Sequence, residues 1–309
     1  MPTARRFLTA LLLLLASGAL SGCTMMRNWF GPRDPFAANA PCAFPPEASA
    51  AEVIAHLNAN TARIAAWRSD HVKISGRGEA QTPVTVSARL AIESPRSFRL
   101  TAESPLGEPE VDLGSNQSEF WFWSRRSEQK YMFVAYHDQE SLDKRNFPIP
   151  FQPDWIMEVF GVMPIDAENV TAQRGPSTQY GTRTVLLIAD RLSPQGRPVR
   201  KITTVDACHG IVLEHALYDE QGQLIASARM SHPVRDLRTQ AVLPSQIDLD
   251  WPNAKMGLTM WIQHPEVNPR HIPEKIWQRP EKEGYEVYDL NRGPPPAATG
   301  TARRATPAR

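Results

Sequence analysis

Cysteine is scarce in this 309-residue chain: it has only Cys23, Cys42 and Cys208. Excess charge is missing too. Thirty-four Lys and Arg stand against 33 Asp and Glu, a formal net charge of +1, so no bulk electrostatic pull toward nucleic acid is expected. Signatures of catalysis and nucleotide binding are absent: there is no GxGxxG, no P-loop, no GxSxG and no HExxH. The eight His are scattered, with no close pair at metal spacing. Cys208 and His209 are adjacent, but neighbours on a strand point to opposite faces, which argues against a nucleophile–base pair. The expectation is therefore no enzyme, no catalytic residue, no cofactor and no metal. Long apolar runs are lacking as well. The greasiest stretch, Phe7 to Leu20, covers about 14 residues, whereas a helix needs about 20 to cross a bilayer.

That stretch is nonetheless informative. Arg5 and Arg6 precede it, and Ser17, Gly18, Ser21 and Gly22 lead from it to Cys23. This is the layout of a secretory signal. Leu20-Ser21-Gly22-Cys23 resembles the lipobox of bacterial lipoproteins. The resemblance implies cleavage before Cys23, lipidation of Cys23 and, with Thr24 next, an outer-membrane destination. An ordinary leader cut nearer Ala19 is the alternative. The expected organisation is a signal peptide over 1–22 and a flexible tether over 23–46. A main domain follows over 47–270, then a C-terminal extension over 271–309, disordered from about 291. If Cys23 is acylated, Cys42 and Cys208 either pair as one disulfide or stay separate thiols.

Residues 48–67 (ASAAEVIAHLNANTARIAAW) repeat apolar positions every three or four residues and predict a helix. The period then falls to two. VTVSARLAI puts Val84, Val86, Ala88, Leu90 and Ile92 on one face. Similar runs recur every 8–12 residues or so, from SFRLTA to KMGLTMWI, with turn formers between them. Short joints predict antiparallel meanders. One stretch breaks the pattern: residues 137–166 hold PDWIMEVF, where Pro153 and Asp154 suit a helix start and Gly161 its end. Its density of large apolar side chains exceeds what a solvated connector needs. FWFW, residues 120–123, places aromatics on both faces of a strand, which suits either a two-sided core or a ligand-lined face.

Three segments carry a family resemblance. SFRLTAESPLGEPEVDL (97–113), FPIPFQPDWIMEVFGVMP (147–164) and LPSQIDLDWPNAKMGLTMWI (243–262) resemble, in order, parts of the LolA/LolB superfamily, closest to its outer-membrane receptor branch, LolB. The fold class this implies is mainly β with a few helices: an incomplete antiparallel β-barrel, or half-barrel, with a helical lid. The function it implies is acceptance of acyl chains in an apolar cavity and help in inserting lipoproteins into the outer membrane. A scaffold lipoprotein of the same fold is the alternative. Implied partners are lipid or lipoprotein acyl chains, a periplasmic LolA-like carrier, and a membrane reached through the lipid anchor, with no nucleic acid. The resemblance maps a membrane-insertion loop onto Leu106, flanked by Pro105 and Gly107. Cavity candidates are Phe98, Leu100, Trp121, Trp123, Phe151, Trp155, Ile156 and Phe160.

Overall fold

The computed structural model describes residues 36, 41–77, 84–127, 130–137, 153–178, 181–192 and 197–290. The leader, Cys23, Phe151 and everything beyond 290 lie outside the described residues.

Helix α1 spans Ala50–Thr61. A reciprocal capping box starts it: Glu52 N donates to Ser49 Oγ at 3.3 Å, and Ser49 N donates to a Glu52 carboxylate oxygen at 2.8 Å. Val53, Ile54 and Leu57 form its buried stripe. The helix ends six residues before the expected limit at Trp67. Ile64 and Trp67 continue the three-and-four spacing, but Trp67 lies on a strand, opposite Ile92 and Val267. Burial on a strand produced the same spacing as a helix face, and sheet pairing decided between them.

Among the described residues fifteen strands form one sheet. They are β1 (Ala66–Arg77), β2 (Val84–Glu93), β3 (Ser97–Glu103), β4 (Pro109–Ser115), β5 (Glu119–Ser124), β6 (Tyr131–Tyr136), β7 (Val170–Arg174) and β8 (Thr184–Leu192). There follow β9 (Pro198–Asp206), β10 (Ile211–Tyr218), β11 (Leu224–Arg235), β12 (Val242–Trp251), β13 (Met256–Gln263), β14 (Glu266–Val267) and β15 (Glu286–Asp289). The order runs β15-β6-β5-β4-β3-β2-β1-β13-β12-β11-β10-β9-β8-β7, with β14 beside β1. Neighbours are antiparallel except β15, which adds to β6 in parallel. The sheet does not close, because β7 and β15 end the order without pairing to each other. This is the expected half-barrel.

Strand β1 hid in the sequence for a physical reason. After Ala66, buried at its first position, its buried residues are Trp67 and Ser69, then Val72 and Ile74. A register shift between Ser69 and Val72 moves the inward set from odd to even positions. The alternation therefore breaks in the middle of the strand.

Among the described residues two helices cover the inner face. Helix α1 packs Val53, Ile54 and Leu57 on Val185, Leu187 and Val205, joined by Phe44. The second helix, α2 (Pro153–Val159), lies on the larger cluster, which draws on β1–β3 and β11–β13. Each fully buried large side chain contributes roughly 1.5–3 kcal/mol, so these two clusters dominate the stability. Asn58 and Asn60 tie α1 down: each exchanges a pair of side-chain hydrogen bonds with backbone, Asn58 with Ile165 and Asn60 with Val242, at 2.8–3.0 Å.

Candidate functional site

Helix α2 is short, and its C-terminal end is well defined. Asp154 sits in the first turn. At the far end Gly161 N donates to Glu158 O at 3.0 Å and Val162 N to Met157 O at 3.3 Å. That pair of bonds is a Schellman ending, and it requires the positive φ of 73° that Gly161 supplies. Trp67 Nε1 donates to Phe160 O at 3.1 Å and pins this end to β1. Trp155, Ile156, Met157, Val159 and Phe160 are all buried. Trp155 meets Trp251 edge to face at 6.2 Å. Its Nε1 is buried with no hydrogen-bond partner among the described residues.

Of the cavity candidates, the structure brings together Phe98, Leu100, Trp155, Ile156 and Phe160 in the cluster beneath α2. Trp121 and Trp123 are not with them. They lie on the opposite face of β5, in a separate cluster with Met132 and Val134. What covers them there is the chain from 271 to 290. Tyr285 packs edge-on to Trp123 at 5.3 Å, and Lys282 Nζ stands 4.2 Å over the same ring. Asp112 accepts from Trp121 Nε1 at 3.1 Å and pairs with Arg99 at 2.8 Å. Arg99 and Asn116 also donate to Ile276 O and Trp277 O. FWFW is thus two-sided because the C-terminal segment forms a strap on the outer face. Phe151 lies outside the described residues.

The loop residues Pro105, Leu106 and Gly107 form the β3–β4 turn. Ser104 builds it, receiving backbone bonds from Leu106 and Glu108 on its hydroxyl, and Gly107 takes φ 79°. Leu106 stands 88% exposed at the tip. The acids beside it are matched: Glu108 bonds Arg125, and Glu110 pairs with Arg126 at 2.8 Å. The Arg125-Arg126 pair that follows FWFW is their counter-charge. Cys42 and Cys208 are joined by a disulfide. It ties residues 41–44 to the β9–β10 turn, where Ala43 N and Phe44 N also donate to Cys208 O and Ala207 O.

Sequence reasoning missed one group of side chains. Glu158 of α2 faces the sheet and bonds Lys201 of β9 and, at 2.7 Å, Arg191 of β8. His215 of β10 sits beside them and shares a 3.0 Å hydrogen bond with Thr203. The Lys201 side chain is 3% exposed, that of Glu158 10% and that of Arg191 33%. Burial alone would raise the Glu158 pKa, but Lys201 and Arg191 outweigh it and hold the carboxyl below its ordinary range. Burial lowers Lys201, partly offset by Glu158. Burial, then Lys201, pushes His215 down to about 3, so it is neutral at pH 7. The available signal was parity: Lys201 shares a strand face with Thr203 and Val205, where β9 is buried.

A surface hollow of about 620 Å³ lies at the β8–β10 end of the strands, lined by Asp190, Arg200, Ile202 and Tyr218 among others. Among the described residues no helix is long and apolar enough to span a membrane, and no cluster of His, Cys, Asp and Glu has the makings of a metal site.

No family model and no curated relative matches the sequence. Solved structures do match the fold. An outer-membrane lipoprotein-sorting protein domain from Vibrio parahaemolyticus aligns with 74% of this chain and 97% of its own, at TM-score 0.50 and 10% identity. A DUF1329 family protein from Desulfovibrio piger aligns with 74% and 95%, at TM-score 0.51 and 10% identity. A LolA-superfamily protein from Nitrosomonas europaea covers 75% and 98%, at TM-score 0.46 and 10% identity. At such identities the likeness is one of fold alone.

Proposed function

We propose that this chain is an envelope lipid-binding protein that accepts acyl chains between α2 and the inner sheet face and helps deliver them to a membrane. One observation carries the reading. The contact between α2 and the sheet is built from aromatic and aliphatic side chains, Trp155, Ile156 and Phe160 over Phe98 and Leu100. Displacing α2 would uncover an apolar surface that an acyl chain suits at about 0.8 kcal/mol per buried CH₂. The exposed Leu106 tip supports delivery, since an apolar side chain on a tight turn enters a bilayer interface readily. In this reading Cys23 carries the lipid anchor, the outer membrane is the destination, and a LolA-like carrier is the donor. No catalytic step is involved. The scaffold reading is favoured by a different observation: in this closed state every one of those five residues is buried.

Native mass spectrometry with lipid extraction, on protein beginning at Thr24, separates the two. A copurifying acylated molecule, displaced by added lipid, supports binding. An apo mass together with indifference to fluorescent acyl probes would favour the scaffold. Replacing Trp155 and Phe160 with Ala should weaken acyl-probe binding while keeping the β-rich spectrum. Leu106→Glu should reduce transfer of a bound probe to vesicles without reducing its binding, and equal transfer rates would remove the loop from the mechanism.

A further inference from the structure

Glu158, Lys201 and Arg191 are out of character with their surroundings. They interrupt the apolar contact between α2 and the sheet with a buried ion pair. Taking such charges from water is costly, and an apolar pair of equal volume often serves stability as well. The arrangement also divides unequally. The carboxylate rides on the helix, whereas Lys201 and Arg191 belong to the sheet wall. Among the described residues Glu158 supplies the carboxylate ion-paired to both cations. If α2 lifts, the wall keeps two cations and loses its anion.

Resting on the acyl-binding reading above, we infer that Lys201 and Arg191 form the headgroup site for an anionic amphiphile, and that the Glu158 carboxylate holds that site while the lid is closed. One Glu158 oxygen meets Arg191 and the other Lys201, so a ligand carboxylate or phosphate replaces both contacts one for one. The surroundings match an amphiphile. Arg191, a third exposed, marks the mouth. Across the strands from Lys201 lie Leu217 and then Ala226, both in the apolar cluster that a chain would join once the lid lifts. Strand register places the ends of β8, β10, β12, β1 and β3 along one rim. The mouth therefore opens on the rim that carries Leu106. The Trp155 Nε1–H, one turn from Glu158 on the same helix and without a hydrogen-bond partner among the described residues, is a donor for an oxygen near the head.

The test compares dodecanoate, dodecyl phosphate and neutral monolaurin on wild type, Glu158→Gln, and the double variant Glu158→Met with Lys201→Met. Removing the internal competitor should raise the preference for an anionic probe over monolaurin at least about tenfold, the worth of one charge-assisted bond. A rise for both anions supports a general oxyanion site. A rise for one supports the proposal and identifies the source as carboxylate or phosphate. The double variant, which leaves Arg191 as the one remaining cation of the pair, should prefer dodecanoate over monolaurin less than Glu158→Gln does. If monolaurin binds and the preference is unchanged in Glu158→Gln, the headgroup site is overturned and acyl binding stands. If no probe binds any of the three proteins, both fall.

Discussion

Single side chains in this protein are explained by what sits against them. Gly114 is one. The Trp121 ring lies across its Cα, so that a Cβ there would be driven into the indole. Gly114→Ala should therefore cost about 1–3 kcal/mol as an overpacking change, read as a lowered denaturation midpoint with red-shifted tryptophan emission. An unchanged midpoint would mean that the ring moves aside freely. His215 is another. Folded, it is neutral with a pKa of about 3; unfolded, it titrates near 6.5. Unfolding takes up a proton below about 6.5, so this residue lowers stability as pH falls from there, by about 2 kcal/mol between pH 7 and 5. Glu158 acts in the same sense at lower pH. Its folded pKa is depressed, so its stabilisation is present above the ordinary carboxylate range and lost as pH falls through it. In urea denaturation at the two pH values His215→Asn should lose less than wild type, and equal losses would contradict the assignment.

At the scale of elements, the strap over 271–290 is the clearest case of structure assigning a role that periodicity does not. It lacks a long regular element, yet Arg279 pairs with Glu119 and Lys282 with Asp112, and β15 extends the sheet edge. A chain ending at Arg270 should expose Trp121 and Trp123, bind a hydrophobic dye and unfold more readily, while acyl binding beneath α2 persists. Loss of acyl binding with an intact β spectrum would place part of the site on the outer face after all. The helix over 153–159 was legible because Pro153, Asp154 and Gly161 punctuate it. Strand β1 was not, because its irregularity at Ser69–Val72 reverses the parity on which strand reading depends.

For the whole molecule, the disulfide joins residues 166 apart in sequence and fastens the chain's entry to the β9–β10 turn. Closing so long a loop restricts the unfolded ensemble, and its removal should cost about 2–5 kcal/mol. Cys42→Ser should lower the melting temperature, and the reductant sensitivity of wild type should vanish in the variant. A melting temperature that ignores both reductant and substitution would show that the staple restrains little.

The sequence by itself determined the class of the fold and most of its strands. Alternation every second residue, broken by turn formers, is a local consequence of one face being buried, and it survives without knowledge of partners. It also determined the helix of the lid, through its terminal residues. Only the tertiary structure decided which face each aromatic serves. Trp121 and Phe120 are equally apolar in sequence, and a strand does not record what lies on either side of it. The strap, the pairing of Glu108 and Glu110 with Arg125 and Arg126, and the meeting of Glu158 with Lys201 and Arg191 were likewise decided in three dimensions. Each joins residues whose partnership depends on register across strands, and register is a property of the assembled sheet.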